Sequence, residues 1–184
     1  IIPEDDRFTI IPYFFAPKET AFIRSRRDQV DYVGWSKEGL IELTEGDVTD
    51  YNYIKNKIKE VSEILNIKEI AFDRWNSSQL VIDLVNESLP MSPFGQGFAS
   101  LSAPTKELEK LVLGKQLNHG GNKVLRWMAS NVAIKNDPAG NIKFDKSKAT
   151  EKIDGMVSLV MALGSYMNDD SDDSAYDDRG IYFI

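Results

Sequence analysis

The spacing of apolar residues changes period along the chain, and each change predicts an element. Phe8 to Phe15 (FTIIPYFF) is an unbroken β-branched and aromatic run, which predicts a strand after the turn at Pro3 to Asp6. Pro12 inside it has no N–H to donate, so it points to an edge position or a bulge. Lys18 to Val30 is a charged helical stretch around Ala21, Phe22 and Ile23, and Leu40 to Thr44 is a short strand. Asp50 can cap a helix in which Tyr53, Ile54, Ile58, Val61 and Leu65 recur mostly at spacings of three and four. Lys68 to Asp73 (KEIAFD) is a short strand core that ends on a carboxylate.

Asn76 caps the next expected helix, with Gln79 placed as in a capping box and Leu80, Val81, Leu84 and Val85 facing inward. Pro90 stops that helix, Met91 to Phe94 is another strand, and Gly95-Gln-Gly97 is a loop. Pro104 predicts the start of a helix to about Lys115, with Leu108, Leu111 and Val112 as its apolar face. A turn at His119-Gly-Gly121 leads to Val124–Ala133, and Ile134 to Phe144 forms a hairpin around Asp137-Pro-Ala-Gly140. The last helix runs from about Thr150 to Met167, buried through Ile153, Met156, Val157, Val160, Leu163 and Met167. Strands alternating with helices predict an α/β layered domain over residues 1–167, with residues 168–184 as an acidic C-terminal tail.

Composition narrows the chemistry. With no cysteine, the chain has no disulfide, thiolate nucleophile or zinc–thiolate site, and a single histidine, His119, excludes a multi-histidine zinc site. No window approaches 18 uninterrupted apolar residues, so no membrane span is expected. The net charge of −7 argues at first against a nucleic-acid partner. Its distribution removes that objection: residues 168–184 carry −5 of it, leaving a nearly neutral −2 on the rest. The tail reads either as a solvated, self-repelling segment or as a docking device, because Ile181-Tyr-Phe-Ile184 could add as a strand to a sheet edge.

Carboxylates are then the main candidates for reactivity. Asp73 closes a buried strand, and ligands in α/β sheets bind at the carboxyl ends of strands; its plainer role is a turn or helix cap. Asp154 falls in the first turn of the last helix, where the helix dipole alone accounts for an acid. Gly155 beside it costs about 1 kcal/mol relative to Ala in a helix, which suggests that something approaches closely. Two such carboxylates suit a hard divalent cation, which needs neither Cys nor His. Lys143, Lys146, Lys148 and Lys152 lead directly to Asp154 and suit a phosphate track, while Arg24, Arg26 and Arg27 form either a solvated helix face or a second such patch. His119-Gly-Gly121 reads as a tight turn rather than a base, and no Walker A sequence occurs.

Several short motifs then fall into one order: Pro12-Tyr-Phe-Phe-Ala-Pro17, Tyr32-Val-Gly-Trp35, Glu45-Gly-Asp-Val48, Ile70-Ala-Phe-Asp-Arg-Trp75, Leu117-Asn-His-Gly-Gly-Asn122 and Lys152-Ile-Asp-Gly155. This series, from about Phe8 to Tyr166, resembles the C-terminal nuclease half of tailed-phage terminase large subunits. The resemblance implies an RNase H-like mixed sheet flanked by helices, and an endonuclease that cuts concatemeric viral DNA during packaging with Mg²⁺ or Mn²⁺. By motif position Asp73 and Asp154 match two of the family's acids, as catalytic and metal-binding residues. The implied partners are double-stranded DNA, the small terminase subunit, the portal protein and an ATPase domain, in the cytoplasm of an infected or lysogenic bacterium. The family's first acid lies on a strand upstream of a hairpin, whereas Ile1-Ile2 matches that hairpin's second strand; the first strand and its acid are therefore expected to be missing from this chain. The alternative to an active nuclease is a truncated, catalytically weak domain that docks the portal or DNA.

Overall fold

Residues 1–27, 30–74, 78–169 and 181–183 are described by the structure, a computed structural model. It opens with a tight antiparallel hairpin, β1 (Ile2–Pro3) and β2 (Phe8–Thr9). Glu4 holds the turn by accepting from Arg7 Nε and Thr9 Oγ1, each at 2.6 Å. The strand expected from Phe8 to Phe15 is broken in two: β2 ends at Thr9, and β3 (Phe15–Pro17) belongs to a different sheet. Pro12 sits at the break, where it can donate nothing to a ladder. Alternation fails there too, since Ile10 is buried while Ile11 and Tyr13 are exposed.

Then follow α1 (Lys18–Arg27), α2 (Tyr32–Lys37), β4 (Glu42–Thr44) and α3 (Tyr51–Ile64). Among these, α2 was not foreseen. Asp31 caps it by accepting from Gly34 N at 2.8 Å, and its Tyr32 and Trp35 pack edge-on and tilted against Trp127. The cap expected for α3 is present, Asp50 accepting from Asn52 N at 2.9 Å. Beyond it come β5 (Ile67–Asp73), α4 (Ser78–Asn86), β6 (Met91–Phe94) and α5 (Phe98–Leu113). The cap expected at Asn76 lies outside the described residues.

In α5, Gly97 is the N-cap and Pro104 lies inside the helix, not near its start. A proline there removes a helical hydrogen bond, and this one is buried, its ring set against the last helix at Gly164. The chain ends with β7 (Leu117–Asn118), α6 (Lys123–Ser130), the hairpin β8 (Ile134–Asn136) and β9 (Ile142–Phe144), α7 (Asp154–Asp169) and β10 (Ile181–Phe183).

Two three-stranded sheets form the body, in the orders β1-β2-β7 and β10-β5-β6. In the second sheet β5 and β6 run parallel, Ile70 opposite Met91 and Asp73 opposite Phe94. The helix α7 starts at Asp154, four residues later than expected, and is buried on nearly every side: Val160, Met161, Ala162, Leu163 and Ser165 are each at most 3 % exposed. Burying Val, Leu or Met fully gains about 1.5–3 kcal/mol apiece, so α7 is the axis of the core. It packs on α5, α6 and β5.

Candidate functional site

Because β5 and β6 are parallel and in register, their carboxyl ends coincide, and Asp73 closes β5 beside the Gly95–Gly97 loop that leaves β6. Asp73 and Gln96 line one cavity of about 300 Å³, together with Lys143, Lys146, Val157 and Val160. The hairpin β8–β9 brings both lysines there. Ser102 Oγ accepts from Ile142 N at 3.1 Å, and Lys143 donates to Gln96 O at 2.9 Å while lying 5.1 Å over the Phe98 ring. Lys143 is thus tied to the loop after β6.

Lys146 is presented by a turn that sequence reasoning missed. Asp145 is buried, donates its N–H to Ala133 O at 2.8 Å, and accepts from Ser147 Oγ at 2.6 Å and Ser147 N at 3.0 Å. Those Ser147 hydrogen bonds, the hydroxyl first, hold its carboxyl below the usual aspartate range. The pattern Asp145-Lys-Ser147, an Asx-type turn just after a strand, was the available signal.

From that turn Lys146 Nζ reaches Asp154 Oδ1 at 3.1 Å, with both side chains more than half exposed. Asp154 is the first residue of α7, and Val157, one turn later, lines the cavity of Asp73. Lys146 thus lines the cavity of Asp73 and pairs with Asp154, which itself lines the larger cavity beside α7 and not this one. The other residues considered in the sequence stand apart from it. Gly155 makes room for protein, not ligand: a Cβ would lie 2.6 Å from Phe14 Cε1 and 2.9 Å from Met128 Sδ. His119 sits in the turn after β7 and lines neither this cavity nor the larger one beside α7. Arg26 and Arg27 are exposed on α1 beside Phe22 and Ile23. Lys148 and Lys152 are exposed next to the site. Among the described residues no three acidic, histidine or cysteine side chains cluster as a metal cage.

The mixed α/β fold, with β5 and β6 parallel and α7 packed on β5, is RNase H-like. The chain belongs to the family described as terminase large subunit, endonuclease domain, which matches residues 1–170. It is 37 % identical over 164 residues to the large terminase subunit of Enterobacteria phage HK97, covering 88 % of this chain and 32 % of that protein. It is also 30 % identical over 183 residues to Protein YmfN of Escherichia coli K12, covering 96 % of this chain and 40 % of that protein. The crystal structure of the HK97 large terminase superposes with a TM-score of 0.82 at 36 % identity, covering 89 % of this chain and 34 % of that one. The chain thus spans well under half the length of these relatives.

Proposed function

We propose that this chain is the metal-dependent DNA endonuclease domain of a viral DNA-packaging terminase, with Asp73 and Asp154 as the carboxylates that hold Mg²⁺ or Mn²⁺. The observation that carries this reading is the position of Lys146, which lines the cavity of Asp73 and binds Asp154 at 3.1 Å. The donor set fits the ion: Mg²⁺ takes one or two carboxylates and completes its octahedron with waters and substrate phosphate. A bound ion supplies activation of a water and stabilisation of charge on the scissile phosphate. The protein's part is to aim the two carboxylates and to hold the backbone of the substrate. An exposed ion pair such as Lys146–Asp154 is worth at most about 1 kcal/mol, so the lysine can leave the acid for a DNA phosphate at little cost. Lys148 and Lys152, exposed beside it, extend the same track.

This reading makes double-stranded, concatemeric DNA the substrate, and the small terminase subunit, the portal protein and an ATPase domain the partners, in the cytoplasm of the bacterial host. Residues 1–167 act as the nuclease unit and 168–184 as its tail. With two carboxylates in place of a fuller cluster, metal affinity and cutting by this chain alone are expected to be low. The test is thermal melting against Mn²⁺ concentration. A metal-binding native state gains about 2.7 kcal/mol at a hundredfold excess over Kd. The gain is expected in the unaltered chain and absent in Asp73→Asn and Asp154→Asn. A gain that survives both substitutions would overturn the assignment, and a melting point indifferent to Mn²⁺ would favour a portal- or DNA-docking role instead.

A further inference from the structure

The helix that carries Asp154 begins without a cap of its own. In the first turn of a helix the backbone N–H groups lack intrahelical partners, and a Ser, Thr, Asp or Asn just before the turn normally accepts from one of them. The residue before Asp154 is Ile153, apolar and buried, which has no side-chain acceptor. Its carbonyl accepts from Met156 N at 2.9 Å and Val157 N at 3.0 Å, which leaves Gly155 N to be met from elsewhere. Met128 meets it, its Sδ accepting from Gly155 N at 3.2 Å.

Met128 lies in the last turn of α6, and Asn131 caps the same turn. The capping uses the Asn131 backbone N–H, which donates to Met128 O at 3.2 Å, so the side chain is spare for another task. Asn131 Nδ2 donates to Lys152 O at 3.4 Å, and its Oδ1 accepts from Thr150 Oγ1 at 3.1 Å. Residues 150–153 link the Asp145 turn to α7 and are neither helix nor strand. The far side of that turn is fastened nearby, where Asp145 N donates to Ala133 O at 2.8 Å. The segment that delivers Asp154 is thus held at Thr150, Lys152 and Gly155 by two side chains from the end of α6.

The need for such a hold follows from where Asp154 stands. Helices fray from their ends, and an acid at the first helical position moves with every opening of the first turn. A metal site needs its carboxylates held to within about 0.5 Å. Asp73 gains that accuracy from a paired strand, whereas Asp154, with its side chain more than half exposed, has to gain it from its backbone.

We propose that the end of α6 is a clamp on the start of α7, with Met128 and Asn131 as positioning residues for Asp154. The purpose of the clamp rests on the reading of Asp154 as a metal ligand; the clamp itself is measured in metal-free protein.

Conservative substitutions separate the clamp from ordinary packing. Met128→Leu keeps the apolar volume and removes the sulfur acceptor. Asn131→Ala removes both side-chain bonds and leaves the backbone cap. Thr150→Val removes the hydroxyl at nearly constant shape, and Thr150→Ser keeps it. In hydrogen exchange on the metal-free, folded chain, the Gly155 amide is expected to exchange about tenfold faster in Met128→Leu and in Asn131→Ala, while that of Leu163, deep in α7, keeps its rate. In Mn²⁺ titrations followed by melting, the midpoint is expected to rise about tenfold in both variants, and by less in Thr150→Val, with Thr150→Ser matching the unaltered chain. A Gly155 rate unchanged in both variants overturns the clamp. A faster Gly155 with an unmoved Mn²⁺ midpoint, in a chain whose melting does respond to Mn²⁺, overturns the positioning role. If no form of the chain responds to Mn²⁺, the metal reading fails, and the exchange rates alone decide whether the clamp stands.

Discussion

The two cavities beside α7 differ in chemistry more than in size. The smaller, about 300 Å³, gathers a carboxylate, an amide and two lysines from two strands and two loops: Asp73, Gln96, Lys143 and Lys146. The larger, about 420 Å³, is walled mainly by aliphatic and aromatic side chains, and Asp154 is its sole acidic side chain among the described residues. Polar groups are costly to gather in a cleft, since each loses water and needs a partner, so their convergence marks chemistry. The apolar hollow lies among β1, residues 10–15, α3 and α7, and its walls are mostly packing surface. Asp154 belongs to both places: it borders the apolar hollow, and through Lys146 it is joined to the polar cleft.

The most forceful way to break this contrast is to damage the apolar wall. Leu159 is 6 % exposed and lines only the larger cavity, so Leu159→Ala is expected to cost about 2–5 kcal/mol in urea unfolding. The Mn²⁺-dependent rise in melting temperature should survive in this variant. If the rise vanishes while the chain stays folded, the two cavities work as one site and the contrast fails.

A smaller effect is expected at the boundary between them. Gly155→Ala sets a methyl group 2.6 Å from the Phe14 ring and 2.9 Å from Met128 Sδ, an overpacking that costs about 1–3 kcal/mol. Gaining alanine's helix propensity returns about 1 kcal/mol. The net loss should be at most about 2 kcal/mol by calorimetry; a clearly stabilised variant would show that Phe14 yields freely and that the helix start is looser than it looks.

Lys146→Gln should change stability by no more than about 1 kcal/mol, because its ion pair is exposed. Its informative effects lie elsewhere. Without a cation on Asp154, the Mn²⁺ midpoint should fall several-fold, while DNA binding weakens and its log–log salt slope drops by about one. Tighter metal binding with an unchanged salt slope would remove Lys146 from the DNA track and leave it only as a counter-ion.

Much of this contrast was legible in the chain, and the gaps have physical causes. The strand ending on Asp73 was visible because a short apolar run closes on an acid, and α3 because its cap and period agree. The helix carrying Asp154 was visible from its apolar density, though its start is fixed by tertiary packing around Gly155. The run from Phe8 to Phe15 misled because composition favours a strand throughout, while Pro12 and the partition between two sheets decide otherwise. Pro104 misled for the opposite reason: local preference places proline at a helix start, and burial against Gly164 holds it inside. Asp145 was overlooked although its Ser147 partner is local, because what buries it against β8, its N–H bonding Ala133 O twelve residues away, is not visible in the sequence.

Asp145 also supplies the finest test of how the polar cleft is held. Its carboxyl lies below the usual range because Ser147 bonds the charged form, so its folded pKa is depressed relative to the unfolded chain. A depressed pKa contributes stability that is complete above the unfolded value, about 3.9, and is lost as pH falls through the folded value. Ser147→Ala removes the hydroxyl bond and leaves only the backbone N–H, which moves the folded pKa toward the ordinary one. The unaltered chain should therefore exceed the variant in melting temperature at pH 7, and the gap should shrink as pH falls below about 4. The backbone path from Asp145 to Lys146 is one residue long, so the same substitution should loosen the lysine. In spectra of a ¹⁵N-labelled chain, the Lys146 amide is expected to shift and broaden, while amides facing the apolar cavity, such as Leu159, stay in place. A gap in melting temperature that persists unchanged to pH 2 would mean that Ser147 stabilises the turn by packing rather than through the charge on Asp145.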